Sequence, residues 1–124
     1  MAKQAIICSG NCATYAHDGD AGADIRSTEN VTLNPGERKL VGTGVRLALP
    51  DNFVAMVCSR SGLAHKHGVT VLNAPGIIDS GYRGEVKVNL INLGAEPLLI
   101  EEGDRIAQLV FTRFEGVAFM CVKD

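Results

Sequence analysis

Short apolar runs that alternate with polar positions recur along the whole chain, and their period is two rather than 3.6. From Lys39 to Leu49 the residues Val41, Thr43, Val45, Leu47 and Leu49 fall on one face, the pattern of a strand with one side buried. Gly42 and Gly44 interrupt that strand and predict a bulge or a close backbone approach. From Glu85 to Asn92, Val86, Val88 and Leu90 alternate with Glu85, Lys87 and Asn89 in the same way. Shorter runs predict strands over Ala5–Cys8, Val31–Leu33, Phe53–Cys58, Val69–Leu72, Pro97–Ile100, Ile106–Phe111 and Val117–Val122. Asn34-Pro35-Gly36-Glu37 reads as a type I or II turn, and Pro50-Asp51-Asn52 as another. About nine short strands at this spacing point to an all-β sandwich or barrel. One helical segment breaks the pattern. Ser61 to Gly68 carries a serine to cap its start, basic residues in its last turn and a glycine at its end.

The stretch from Asn73 to Glu85 does not alternate. A Pro-Gly pair and Gly81-Tyr82-Arg83-Gly84 mark two reversals, and Ile77 and Ile78 lead into Asp79 between them. The expected form is a hairpin with a carboxylate at its tip, carried by the rigid strand that follows. Asp79 is available there as a base and Tyr82 as a flat wall for a small ligand. An ordinary glycine-rich surface turn is the alternative. Arg60, Ser61 and Gly62, where the helical segment begins, could together receive an anion, or could be a capped surface turn. In Gly103–Phe111, Ile106 and Gln108 are expected on one face with Arg105 opposing them. His65 and His67 lie two apart, face different directions on a helix and do not form a chelating pair.

Composition narrows these options. A chain of 124 residues suits one domain with one core. The formal charge of −2, a pI near 5.9 and scattered lysines and arginines lack the basic footprint of a nucleic-acid or membrane-surface binder. No apolar run approaches the roughly 18 residues of a membrane span, and Met-Ala-Lys-Gln does not open a secretory signal, so the expected location is cytoplasmic. Cys8, Cys12, Cys58 and Cys121 do not form a paired zinc pattern; free, mostly buried thiols are expected, with only Cys8 and Cys12 close enough to bridge locally. There is no phosphate-binding loop of the Gly-x4-Gly-Lys-Ser/Thr type, so any triphosphate would be handled on strand loops.

Four clusters stand in one order: Ala21-Gly22-Ala23-Asp24; Ser59-Arg60-Ser61-Gly62-Leu63-Ala64; the Asn73 to Asn92 stretch with its Gly-Ile-Ile-Asp-Ser-Gly-Tyr-Arg-Gly-Glu core; and Gly103-Asp104-Arg105-Ile106-Ala107-Gln108-Leu109. In order and separation they resemble the first four motifs of the trimeric dUTP pyrophosphatase family, over most of the chain from Ala21 to Phe111. The resemblance implies a jelly-roll-like, distorted β-barrel with one short helix, assembled as a homotrimer with each active site shared between subunits. It also implies Mg²⁺-assisted hydrolysis of dUTP to dUMP and pyrophosphate, without direct nucleic-acid or membrane partners. On that resemblance Asp79 is the general base for water attack on the α-phosphorus, and Tyr82 lies under the deoxyribose and leaves no room for a 2′-hydroxyl. Asn73 and the backbone around Gly76 to Ile78 read uracil. Arg60, Ser61, Gly62 and Gln108 hold phosphates, Lys87 is a further substrate-binding position, Asp24 holds the metal through water, and Arg105 is a structural or inter-subunit ion-pair partner.

The family usually continues with a fifth, glycine-rich motif that folds over the nucleotide, and residues up to Asp124 do not contain it. The expectation is therefore a single dUTPase-like domain over 1–124 that binds dUTP and turns it over slowly. Two alternatives remain: a dCTP deaminase-like enzyme, disfavoured because Asn89 stands where an activating glutamate is needed, and a non-catalytic nucleotide-binding or interaction protein of the same fold.

Overall fold

The computed structural model describes residues 3–124. Its strands are β1 (Ile7–Gly10), β2 (Gly22–Arg26), β3 (Val31–Leu33), β4 (Arg38–Ala48), β5 (Phe53–Cys58), β6 (Val69–Val71), β7 (Gly76–Ile78), β8 (Glu85–Asn92), β9 (Leu98–Ile100) and β10 (Arg105–Arg113); the helix α1 (Ser61–His67) lies between β5 and β6. One four-stranded sheet runs β1-β4-β8-β6, a second runs β2-β10-β5-β7, and β3 pairs with β9 apart from both. Every pairing is antiparallel. The expected all-β architecture with one short helix is the observed one.

The buried faces supply one continuous core. Val41, Val45 and Leu47 of β4, Val86, Val88 and Leu90 of β8, Ala55 and Val57 of β5, and Ala107 and Leu109 of β10 all belong to it. Two irregularities redirect this packing. The β4–β8 register shifts between Gly42 and Val45, the bulge the two glycines predict. Gly44 has φ +72°, a left-handed conformation that costs glycine little. Thr43 is fully buried there; its hydroxyl donates to the Val86 carbonyl at 2.5 Å and accepts from Val45 N–H at 3.1 Å. A second shift between Arg105 and Ala107 puts both Ile106 and Ala107 in the core. Gln108 therefore opposes Ala107 and Leu109, and Ile106 and Gln108 do not share a face as expected.

Other local expectations also change. The first strand starts two residues later than the apolar run. Gly36 has φ +81° and Glu37 N–H donates to Asn34 C=O at 2.9 Å, which makes the Pro-Gly turn type II. Gly68 ends α1 in the left-handed conformation, as its position predicts. The helix start differs: Arg60 is the N-cap, with no side-chain cap, and Ser61 is already helical. Residues 117–122 form no strand, and Val117, Phe119, Met120 and Val122 are exposed. Alternation alone could not supply a pairing partner for them. The cysteines also depart from expectation: Cys8 and Cys12 form a disulfide with Cα atoms 5.8 Å apart, Cys58 is half-buried and Cys121 is exposed. Among the described residues no helix is long and apolar enough to cross a membrane.

Candidate active site

The expected hairpin is a crossover. β7 pairs with β5 in one sheet, and β8 pairs with β4 and β6 in the other. Asp79 to Gly84 thus carries the chain from sheet to sheet. The gap between the sheets at that point is a cleft of 330 Å³, lined by Asn73, Gly76, Ile78, Asp79, Tyr82 and Lys87. All six candidates from the third cluster meet there. Val57 and Val71 provide an apolar floor; Asn89, the position on which the deaminase alternative turned, and Glu85, read as an ordinary strand position, add polar groups. Asp79 and Tyr82 share one turn, closed by Tyr82 N–H donating to the Asp79 carbonyl at 3.1 Å. The carboxylate is exposed and the ring half-exposed, so both are open to a ligand entering the cleft.

The remaining candidates gather elsewhere. Asp24, Arg60, Ser61, Gly62 and Gln108 line a second depression of 440 Å³, with Arg105, His17 and Asp20. His17 and Asp20 had no assigned role in the sequence; their loop is drawn in where Thr14 pairs with Asp24. Asp24 ties three clusters together: its Oδ1 lies 3.5 Å from Arg60 Nε and its Oδ2 3.6 Å from Arg105 Nη1. Arg105 is accordingly an ion-pair partner within the chain. Gln108 Nε2 donates to Ser59 C=O at 2.9 Å, and the Gln108 side chain lies where a Cβ on Gly22 would stand. The first cluster's glycine thus makes room for the fourth cluster's amide. A Cβ at Gly62 would meet nothing within 4 Å, so its backbone is open to an approaching anion.

The donor set bears on metal binding. Among the described residues no three His, Cys, Asp or Glu side chains are grouped as a metal cage. Asp24 is a single carboxylate with 13% side-chain exposure, and its ion-pair contacts are longer than hydrogen bonds, which leaves its oxygens with acceptor capacity. One carboxylate beside two arginines fits a hydrated divalent ion carried mainly by phosphates, the usual habit of Mg²⁺.

The cleft and the depression share no lining residue. In the sheet β2-β10-β5-β7, Asp24 pairs with Gln108 and Gln108 with Cys58, while Asp79 follows the far edge strand. Arg60, Ser61 and Gly62 follow the C-terminal end of β5, near the level of Gln108 and Asp24, whereas Ile78 pairs with Ala55, so Asp79 leaves β7 toward the other end of β5. Asp79 and the candidates of the depression therefore lie toward opposite ends of β5.

A family model described as dUTPase matches residues 9–124. The chain is 56% identical over 111 residues to the deoxyuridine 5′-triphosphate nucleotidohydrolase of Thermobifida fusca, covering 89% of this chain and 62% of that protein. It is 60% identical over 107 residues to the enzyme of the same name from Bifidobacterium longum, covering 86% and 68%. The chain thus spans about two thirds of the length of these relatives. Among solved structures, a mutant dUTPase of phage phi11 of S. aureus, described with a structural Mg(II) ion, superposes with a TM-score of 0.89 at 25% identity, covering 98% of each chain. A mutant dUTPase of Staphylococcus bacteriophage 80alpha, solved with dUpNHpp, gives 0.90 at 25% identity, again covering 98% of each chain. With its four clusters, its two-sheet fold and a family match over nearly its whole length, this chain belongs to the dUTPase family.

Proposed function

We propose that this chain, as a single dUTPase-like domain over 1–124, hydrolyses dUTP to dUMP and pyrophosphate at sites shared between copies of a homotrimer. The observation that carries the reading is the convergence of Asn73, Gly76, Ile78, Asp79, Tyr82 and Lys87 on one cleft in a member of this family. The cleft's apolar floor and backbone amides suit uracil, which Asn73 and the chain from Gly76 to Ile78 recognise by its hydrogen-bonding edge. A base that leaves these groups unpaired is rejected strongly. Asp79 accepts a proton from the attacking water. Phosphoryl transfer leaves little covalent work to the protein, so aligning that water and neutralising charge account for most of the rate.

Arg60, Ser61, Gly62 and Gln108 bind the triphosphate from a neighbouring copy. The separation of their depression from the cleft supports this composite arrangement. Mg²⁺, when bound, neutralises phosphate charge, and Asp24 holds its water shell. Arg60 is released from Asp24 as it turns to phosphate, and Arg105 keeps the carboxylate partnered.

The test is a product assay with dUTP and Mg²⁺, separating dUMP and pyrophosphate by chromatography. Asp79→Asn is expected to lower the rate by about 10²–10⁴-fold, the usual contribution of a general base, while an imido analogue of dUTP still binds. Unchanged turnover in Asp79→Asn would remove the assigned base, and absence of dUMP from the unaltered chain would sink the reading.

A further inference from the structure

The half-exposed Tyr82 ring is not fixed by burial, and the contacts that do hold it run through Glu85 to the β4 bulge. Its hydroxyl donates to the Glu85 carbonyl at 2.7 Å, and the ring lies against Gly84, where a Cβ would stand 2.6 Å from Oη and 2.8 Å from Cζ. The ring's position therefore depends on where the Glu85 backbone sits. Glu85 is pinned from β4: its Oε2 accepts Thr43 N–H at 3.1 Å and Gly44 N–H at 3.0 Å. Those two amides belong to the residues that the bulge between Gly42 and Val45 adds to β4. Gly42 leaves the space this carboxylate needs, since a Cβ there would lie 2.8 Å from Oε2 and 3.1 Å from Thr28 Oγ1. One line of contacts thus runs from the β4 bulge through Glu85 to the tyrosine at the mouth of the cleft.

We infer that Glu85 is a positioning residue that sets how strictly the site excludes a ribonucleotide, by anchoring the segment on which the Tyr82 ring rests. The inference builds on the proposed contact of Tyr82 with deoxyribose. A 2′-hydroxyl is excluded only if the ring cannot retreat, and the ring's freedom is governed by two hydrogen bonds to the bulge together with the one from its own hydroxyl. Loss of the Glu85 carboxylate releases the start of β8 from the bulge amides and lets the ring give way. Glutamine can replace it, because both amides donate to a single oxygen and an amide Oε1 has two lone pairs to receive them.

The experiment is calorimetric titration of the full chain, with Mg²⁺, by the imido analogues of dUTP and of UTP. The readout is the ratio of the two affinities in the unaltered protein, Glu85→Ala, Glu85→Gln and Tyr82→Phe, each checked for folding by its circular dichroism melt. Glu85→Ala and Tyr82→Phe are expected to lower the preference for the deoxynucleotide by about tenfold, the scale of one lost hydrogen bond. Glu85→Gln should keep most of the preference. A purely structural role would weaken both analogues together and leave the ratio unmoved, and that result in Glu85→Ala would overturn the inference while the dUTPase reading stood. Should Glu85→Ala not fold, Tyr82→Phe and Gly84→Ala decide by the same ratio. If the unaltered protein itself fails to favour the deoxynucleotide, the deoxyribose contact falls and the inference falls with it.

Discussion

Asn92 is the buried polar residue with the most to hold. Fully buried at the end of β8, it donates from Nδ2 to Leu33 C=O and Glu96 C=O, both at 2.9 Å, and accepts Gly94 N–H at 2.8 Å. Its backbone adds bonds to Gly36 and Glu37. A single amide thus joins the end of β3, the type II turn and the loop before β9. Asn92→Ala takes the side-chain partner from the buried Leu33 carbonyl and from the part-buried Glu96 carbonyl and Gly94 amide, a buried group left unsatisfied costing about 1–3 kcal/mol. Urea denaturation should show a loss of about 2–4 kcal/mol with little change in m-value; a loss under about 0.5 kcal/mol, the range of ordinary surface changes, would mean that the loops find other partners. In the sequence Asn92 is only the polar end of an alternating strand. Its partners lie as far as 59 positions away, and no local pattern announces them.

At the scale of elements, α1 is held by its ends. None of its residues is buried, so no apolar face docks it. Its C-terminus is closed by Gly68, which has φ +69° and donates to Ala64 C=O at 3.0 Å, and its carbonyl then receives Leu93 N–H at 2.8 Å. A Cβ at Gly68 would stand 2.7 Å from Gly94 N. Gly68→Ala therefore meets both an unfavourable conformation and a backbone clash, and should destabilise the chain by more than about 1 kcal/mol, read as a lowered midpoint in thermal melting. An unchanged midpoint would show that α1 ends independently of the Leu93-Gly94 loop. The start and stop of this helix were legible in residue types, although the capping position was one residue early. The crossover between β7 and β8 was not legible. Two apolar runs flanking a glycine-rich turn read as a hairpin, and only the identities of their partners, β5 on one side and β4 and β6 on the other, separate them into two sheets.

The whole molecule divides its candidate site. With Asp79 in the cleft and Arg60 in the depression toward the other end of β5, the proposed reaction needs groups from two copies. Complementation follows directly. Asp79→Asn and Arg60→Ala chains should each be nearly inactive as homotrimers, but co-refolded in equal amounts they should form mixed trimers. About a quarter of the shared sites then combine an intact cleft with an intact depression, by random pairing across a cyclic interface. Recovery of about that fraction of the unaltered activity is the expected outcome, measured as pyrophosphate release. No recovery in demonstrably mixed trimers would place the two groups in one chain's site. The exposed apolar residues Val117, Phe119, Met120 and Val122 also belong to this scale, since the run from Val117 to Val122 predicted a strand that finds no partner among the described residues.

Much of the protein was determined by the sequence alone. Alternation set most of the strands, though not β2, the glycines at 42 and 44 foretold the bulge, Gly68 ended the helix, and four ordered clusters named the candidate residues and the family they resemble. These are local properties, carried by the side-chain period and by the few residues that tolerate unusual backbone angles. Tertiary structure decided the rest: that Asp79 sits on a crossover, that Asp24 holds two arginines, that a bulge turns Gln108 away from Ile106, that Cys8 meets Cys12, and that the candidates form two groups instead of one. Each of these depends on which strands become neighbours. Pairing between strands far apart in the chain is selected by the burial of a common core, and no stretch of sequence contains that core by itself.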